Sequence, residues 1–207
     1  MGSWQDYVRF VVTLTAVLDP FLAVPIFVSV TAGERARERL RLAQVVTITV
    51  LLILAGAAIF GERLLRYLGT SLPAFQVGGG LVLLLMALAM LNAQAGQIRQ
   101  TRAEAREARE YTGVVPLAVP LLAGPGAIST TIIAAQAGGF AHAIVLVVCV
   151  AIVCVMVWVM LRLAHRVAGR MGTTGLNIAT RLLGLLLAAI AIQTMAEGLR
   201  VLFPGLA

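Results

Sequence analysis

The chain has 207 residues, of which 60% are hydrophobic and only 12% charged, where an average soluble domain carries about 25% charged residues. Sixteen basic residues against nine acidic ones give a net charge of +7, with a pI of about 11.0. This composition excludes a disordered chain, a collagen-like rod and an ordinary water-soluble enzyme, because apolar sequence on this scale fills five or six bilayer-spanning helices of about 20 residues.

In chain order, residues 1–6 lack a basic n-region, so no cleaved signal peptide is expected, and Asp6 breaks the Met-Gly myristoylation pattern. Six apolar segments follow, near residues 7–30, 42–60, 73–92, 113–135, 141–161 and 178–199. Their connections carry almost every charge: Gly-Glu-Arg-Ala-Arg-Glu-Arg at 33–39, then Glu62, Arg63 and Arg66. The third connection, 93–112, is the longest, and its Thr101-Arg-Ala-Glu104 matches a capping box that predicts a short solvated helix. Cys149 and Cys154 lie five apart inside one apolar run and read as small packing residues.

Every basic residue is an arginine, and the arginines sit between the apolar runs. Twelve fall in or beside the connections after segments one, three and five, and four on the opposite side: Arg9, Arg63, Arg66 and Arg200. The positive-inside rule then puts both termini outside the cytoplasm. Such placement suits an anionic leaflet, so nucleic acid is not the expected partner despite the charge.

The chain also repeats itself. Leu22-Ala-Val-Pro25 recurs as Leu117-Ala-Val-Pro120, an offset of 95, and Gly79-Gly-Leu-Val-Leu-Leu resembles Leu183-Gly-Leu-Leu-Leu-Ala. Three spans per half is an odd number, so the halves must insert upside down relative to each other. The expected fold is an all-α membrane protein: six transmembrane helices as two inverted three-helix repeats in a single domain. Repeat one covers about 7–92, a cytoplasmic connector about 93–112, and repeat two about 113–200.

Prolines locate the candidate site. Pro20 and Pro25 interrupt segment one, while Pro116, Pro120 and Pro125 interrupt segment four. Each removes a backbone donor and frees carbonyls that hydrocarbon cannot satisfy, so broken helices are expected in spans one and four. Gly124 and Gly126 flank Pro125 and suggest a special backbone followed by a new helix. Ser129, Thr130 and Thr131 follow as hydroxyls in its first turns, and a helix N-terminus at that depth suits a carboxylate. Asp19 is the only acid deep in an apolar run. Its insertion costs about 2.5–3.5 kcal/mol, which favours a functional part as proton carrier or ammonium ligand, beside a cap role before Pro20. Ser29 and Thr31 occupy the first half where the Gly-Pro-Gly turn occupies the second. Gln193 and Asn92 suit interhelical packing, and Gly78-Gly-Gly80 allows close helix approach. His142 and His165 show no ligand partners, so no metal and no cofactor is expected. Ser129 lacks a nearby base, so no enzyme activity is expected.

These residues resemble the MarC family, the neutral amino-acid transporter family related to SnatA. The likeness rests on Asp19-Pro-Phe-Leu-Ala-Val-Pro-Ile-Phe-Val-Ser-Val-Thr31, on Pro116-Leu-Ala-Val-Pro-Leu-Leu-Ala-Gly-Pro-Gly-Ala-Ile-Ser-Thr130, and on Arg181-Leu-Leu-Gly-Leu-Leu-Leu-Ala-Ala-Ile-Ala-Ile-Gln193. It covers nearly the whole chain, and Gly-Pro-Gly-Ala-Ile is its most specific part. The resemblance implies a bacterial inner-membrane transporter of small neutral amino acids such as glycine and alanine, driven by protons. One departure is Leu22, where the family usually has glycine. The expected partners are a small neutral amino acid, a proton and the lipid bilayer, and a homo-oligomer is compatible with them. The half-helix at Pro125 is expected to take the substrate carboxylate. Asp19, with carbonyls freed near Pro20 and Pro25, is expected to take the ammonium or the coupling proton. The alternative is a non-transporting membrane scaffold or accessory subunit, in which the broken helices serve packing alone.

Overall fold

A computed structural model describes residues 4–92, 122–136 and 138–204. Among the described residues there are seven helices and no strand: α1 Trp4–Leu18, α2 Pro20–Val30, α3 Ala36–Tyr67, α4 Leu72–Leu91, α5 Pro125–Ala135, α6 Phe140–Arg162 and α7 Ala164–Leu202. Five segments are long and apolar enough to cross a bilayer, with α1 and α2 together forming the first. α5 is the described half of the fourth apolar segment. Pro116, Pro120 and the connector 93–112 lie outside the described residues.

Segment one breaks once. Asp19 takes a left-handed conformation (φ 35°, ψ 75°) that ends α1, and Pro20 opens α2 where a missing amide costs nothing. The expected second interruption is absent, because α2 runs through Pro25 to Val30. A proline inside a helix removes one ladder bond, and neighbouring helices can hold such a turn in place. Here the flanking Val24 and Ile26 are fully enclosed.

Other boundaries also move. α3 has 32 residues, about 48 Å of helix, which exceeds the hydrocarbon core, so its arginine-bearing ends project into the headgroup region. Ser71 opens α4 by accepting the Ala74 amide at 3.4 Å. The arginine-rich stretch after segment five was expected as a loop. Instead α7 starts at Ala164 and changes direction at Gly172 (φ 61°). Residues 164–171 thus form a helical flank before the membrane-crossing part.

The two half-helices correspond in a different register from the Leu-Ala-Val-Pro match. α2 and α5 each span 11 residues, each open on proline, and start 105 residues apart. In that alignment Asp19-Pro20 corresponds to Gly124-Pro125, whereas an offset of 95 would pair Pro25, mid-helix, with Pro120. α4 and α7 run antiparallel at contact distance. A Cβ on Gly80 would stand 2.9 Å from the Ala191 carbonyl, and one on Gly184 would stand 3.2 Å from that of Ala87. Each glycine therefore meets the residue seven places beyond the other.

The centre is apolar: Leu14, Val24, Phe27, Val46, Val50, Leu54, Val150, Val153 and Leu187 are fully buried. Large apolar side chains also cover the outside, among them Ile48, Leu52, Leu85, Val148, Ile152, Val155, Ile178 and Leu182. Polar groups turn inward instead, with Thr13, Asp19, Thr47, Ser129, Thr130, Thr131 and Thr180 buried. That inversion suits lipid as the surrounding solvent. Hydroxyls at that depth are satisfied locally, as Thr47 donates to the Ala43 carbonyl at 2.8 Å and Thr131 to that of Ala127 at 2.8 Å.

Candidate functional site

Asp19 sits near the middle of the 27-residue first segment and is 4% exposed. Its Oδ1 accepts the Leu22 amide at 3.2 Å, which caps α2. The same oxygen receives the Thr180 hydroxyl from α7 at 3.5 Å. Thr180 occupies the buried stripe Leu176, Thr180, Gly184, Leu187, Ala191, a helical repeat that turns its hydroxyl inward. Oδ2 is buried without a hydrogen-bond partner among the described residues. A buried carboxylate oxygen without a partner is costly.

The second break is built differently. Gly124 is the N-cap of α5 in ordinary extended geometry (φ −66°, ψ 173°), and no side chain caps the helix. The special backbone expected at Gly124 and Gly126 is therefore found at Asp19 instead. Gly126 is needed for space: a Cβ there would lie 2.5 Å from Met86 Sδ, 3.2 Å from Leu83 Cδ2 and 3.5 Å from Val17 Cγ1. Through Val17, two residues before Asp19, the end of α1 is packed on the first turn of α5. The two breaks are thus neighbours across the chain.

The hydroxyls of α5 divide by role. Ser129 donates to the Gly126 carbonyl at 3.0 Å and packs beside Gly79, whose Cβ would stand 3.1 Å from that of Ser129. Thr131 is engaged with its own helix, as described above. Thr130 Oγ1 is buried without a partner among the described residues. It faces a cavity of about 240 Å³ between α1, α5, α6 and α7, lined also by Phe10, Thr13, Leu83, Leu146 and Ile190. Leu83, which lines this cavity, also stands beside Gly126.

Toward the Trp4 end the same cavity is lined by Asp6, Tyr7, Arg9, His142, Gln193 and Glu197. His142 Nε2 lies 2.9 Å from the Ala134 carbonyl and Nδ1 lies 2.8 Å from the Tyr7 hydroxyl. A carbonyl only accepts, so in the neutral ring the proton sits on Nε2 and Nδ1 accepts from Tyr7. This clasp ties α1, α5 and α6 together. Residues 135 positions apart give no local pattern, so the sequence left His142 without partners. Gln193, expected as a packing residue, donates to Glu197 at 3.0 Å along the cavity wall.

Of the sequence-derived candidates, Asp19, Pro20, Gly124, Pro125, Gly126, Ser129 and Thr130 belong to the two breaks and the helix turns beside them. Pro25 lies within α2. Ser29 is exposed near the far end of that helix, and Thr31 is buried there with its hydroxyl donated to the Phe27 carbonyl at 2.7 Å. Both stand more than two helical turns from Asp19. Pro120 lies outside the described residues. Thr180 was not anticipated, and only its place on the buried stripe marks it.

A lipid-facing exterior, polar interior hydroxyls and two proline-opened half-helices define a multi-pass helical integral membrane protein. Residues 4–203 match the MarC family of integral membrane proteins, and the chain belongs to that family. It is 33% identical over 203 residues to the UPF0056 membrane protein YhcE of Escherichia coli, covering 97% of this chain and 94% of that one. The UPF0056 membrane protein MJ1677 of Methanocaldococcus jannaschii is 35% identical over 198 residues, covering 95% and 97%. YvbG of Bacillus subtilis is 31% identical over 203 residues, covering 96% of each chain. No solved structure matches the chain.

Proposed function

We propose that this protein is a proton-coupled secondary transporter of small neutral amino acids, glycine- or alanine-like, in the bacterial inner membrane with both termini periplasmic. One observation carries the reading: a buried carboxylate at a helix break within the first apolar segment has one oxygen without a hydrogen-bond partner among the described residues, and a second half-helix with glycine at its N-cap begins close by. An ammonium or a proton satisfies the Asp19 oxygen. A carboxylate suits the Gly126 amide, the first-turn N–H of α5 left over once Ala127 and Ile128 donate to the Gly124 carbonyl, at the end where the helix dipole is positive. A small zwitterion offers both charges a few ångströms apart. Its side chain must be small, because Met86, Leu83 and Val17 already crowd Gly126.

In this reading a solute enters by the cavity along Thr130, whose lining includes none of the break residues. The 105-residue spacing of the half-helices and the reciprocal Gly80 and Gly184 contacts support two inverted halves that rock about a fixed site. Purified protein reconstituted into liposomes tests the reading. With an imposed pH gradient, glycine or alanine is expected to accumulate above protein-free liposomes and to exchange across the membrane without the gradient. No flux of any small neutral amino acid would leave the scaffold or accessory-subunit reading standing instead.

A further inference from the structure

The arginine-rich end of the molecule contains a second cavity, of about 370 Å³, that none of the break residues lines. Its volume falls within the range of small-ligand sites, about 300–1,000 Å³. Its cationic side chains come from three elements: the start of α3 supplies Arg39, the end of α6 supplies Arg162, and the helical flank of α7 supplies His165 and Arg166. Phe27, Leu40 and Leu163 form apolar wall between these cations, and no carboxylate lines the cavity among the described residues. Arg162 is held over the Trp158 ring, its Cζ 5.3 Å from the ring centroid, so its guanidinium is positioned before any ligand arrives. Three arginines lining one cavity offer guanidiniums, a group that binds phosphate oxygens in bidentate fashion.

The outer face of α6 says where that phosphate comes from. Val148, Ile152, Val155 and Val159 are all exposed, and they recur at helical spacing on one stripe that runs up to Arg162. An acyl chain lying along this stripe would bring its headgroup to the cavity. We propose that the cavity between α3, α6 and α7 binds the phosphate of an anionic phospholipid, with the lipid tail along α6. Basic pockets between membrane helices are suited to such headgroups, and this one lies on the side that the arginine asymmetry assigns to the cytoplasm.

The test uses full-length protein in a neutral detergent, titrated separately with phosphatidylglycerol, phosphatidylcholine and inorganic phosphate. Native mass spectrometry and thermal unfolding are the readouts. Phosphatidylglycerol is expected to be retained at about one per chain and to raise the unfolding temperature, while phosphatidylcholine and millimolar phosphate do neither. The double variant Arg39→Gln/Arg166→Gln should lose about tenfold or more in phosphatidylglycerol affinity, and Arg63→Gln, at the opposite end, should lose none. Should the double variant fold poorly, Arg166→Gln alone removes one exposed cation and should still lose about threefold. Equal phosphatidylglycerol retention by the wild type and the folded variants would overturn the site. Stabilisation by inorganic phosphate with no preference for the lipid would overturn the lipid and leave a free-anion site.

Discussion

Asp19 combines a backbone role with a chemical one. Its left-handed conformation ends α1, its Oδ1 caps α2, and its buried Oδ2 has no hydrogen-bond partner among the described residues. Asparagine tolerates that conformation and caps helices as well as aspartate does, but it cannot titrate. Asp19→Asn is therefore expected to fold normally and to exchange substrate, while proton-driven accumulation fails. An Asn variant that concentrates solute with unchanged pH dependence would reduce Asp19 to architecture. Asp19→Ala removes the cap too and should lower stability by about 1 kcal/mol or more, read as a lower unfolding temperature in detergent. Gly126 offers a test at the other break. Gly126→Val forces a branched side chain against Met86 and Leu83, so overpacking of about 1–3 kcal/mol is expected, with uptake abolished while protein remains in the membrane. Full uptake by this variant would place the substrate elsewhere.

At the scale of elements, α4 and α7 depend on close backbone approach. Gly80 and Gly184 each meet a carbonyl of the opposing helix, and lipid supplies no hydrophobic drive to replace that contact. Gly184→Leu should push α4 and α7 apart and cost about 1–3 kcal/mol in thermal unfolding. Gly56→Ala, in α3 with open space around it, should be neutral or slightly stabilising. Comparable losses from both substitutions would mean that close approach at Gly184 is not what sets the cost. The short half-helices follow another rule. Each opens on proline at its first position, and neither is long enough to span a bilayer, so both rely on the full-length helices around them.

For the whole molecule, the arginine asymmetry sets an orientation that impermeant labelling can check. A cysteine at Ser71, in the exposed turn between α3 and α4, should react from outside intact cells, and one at Ala32, between α2 and α3, should not. Native Cys149 and Cys154 are buried and should contribute little background. Labelling of Ala32 with protection of Ser71 would invert the molecule and place the cationic cavity on the outer leaflet.

Composition and the spacing of apolar runs were enough to specify a helical, multi-pass membrane protein and to point at Asp19-Pro20 and Gly124-Pro125. Proline and an intramembrane acid act on the chain locally, so their consequences are legible in one dimension. Family membership was equally legible, because the motifs around both breaks are contiguous. The correspondence of the half-helices was not: Leu22-Ala-Val-Pro25 matches a downstream tetrapeptide in letters, while the proline-opened helices themselves start 105 residues apart. Short apolar words recur by chance, whereas helix ends are fixed by backbone conformation. Only the folded chain could bring Thr180 to Asp19, Val17 to Gly126, Tyr7 to His142 and three arginines to one cavity. Those contacts join residues far apart in sequence, and their partners are selected by how the helices pack.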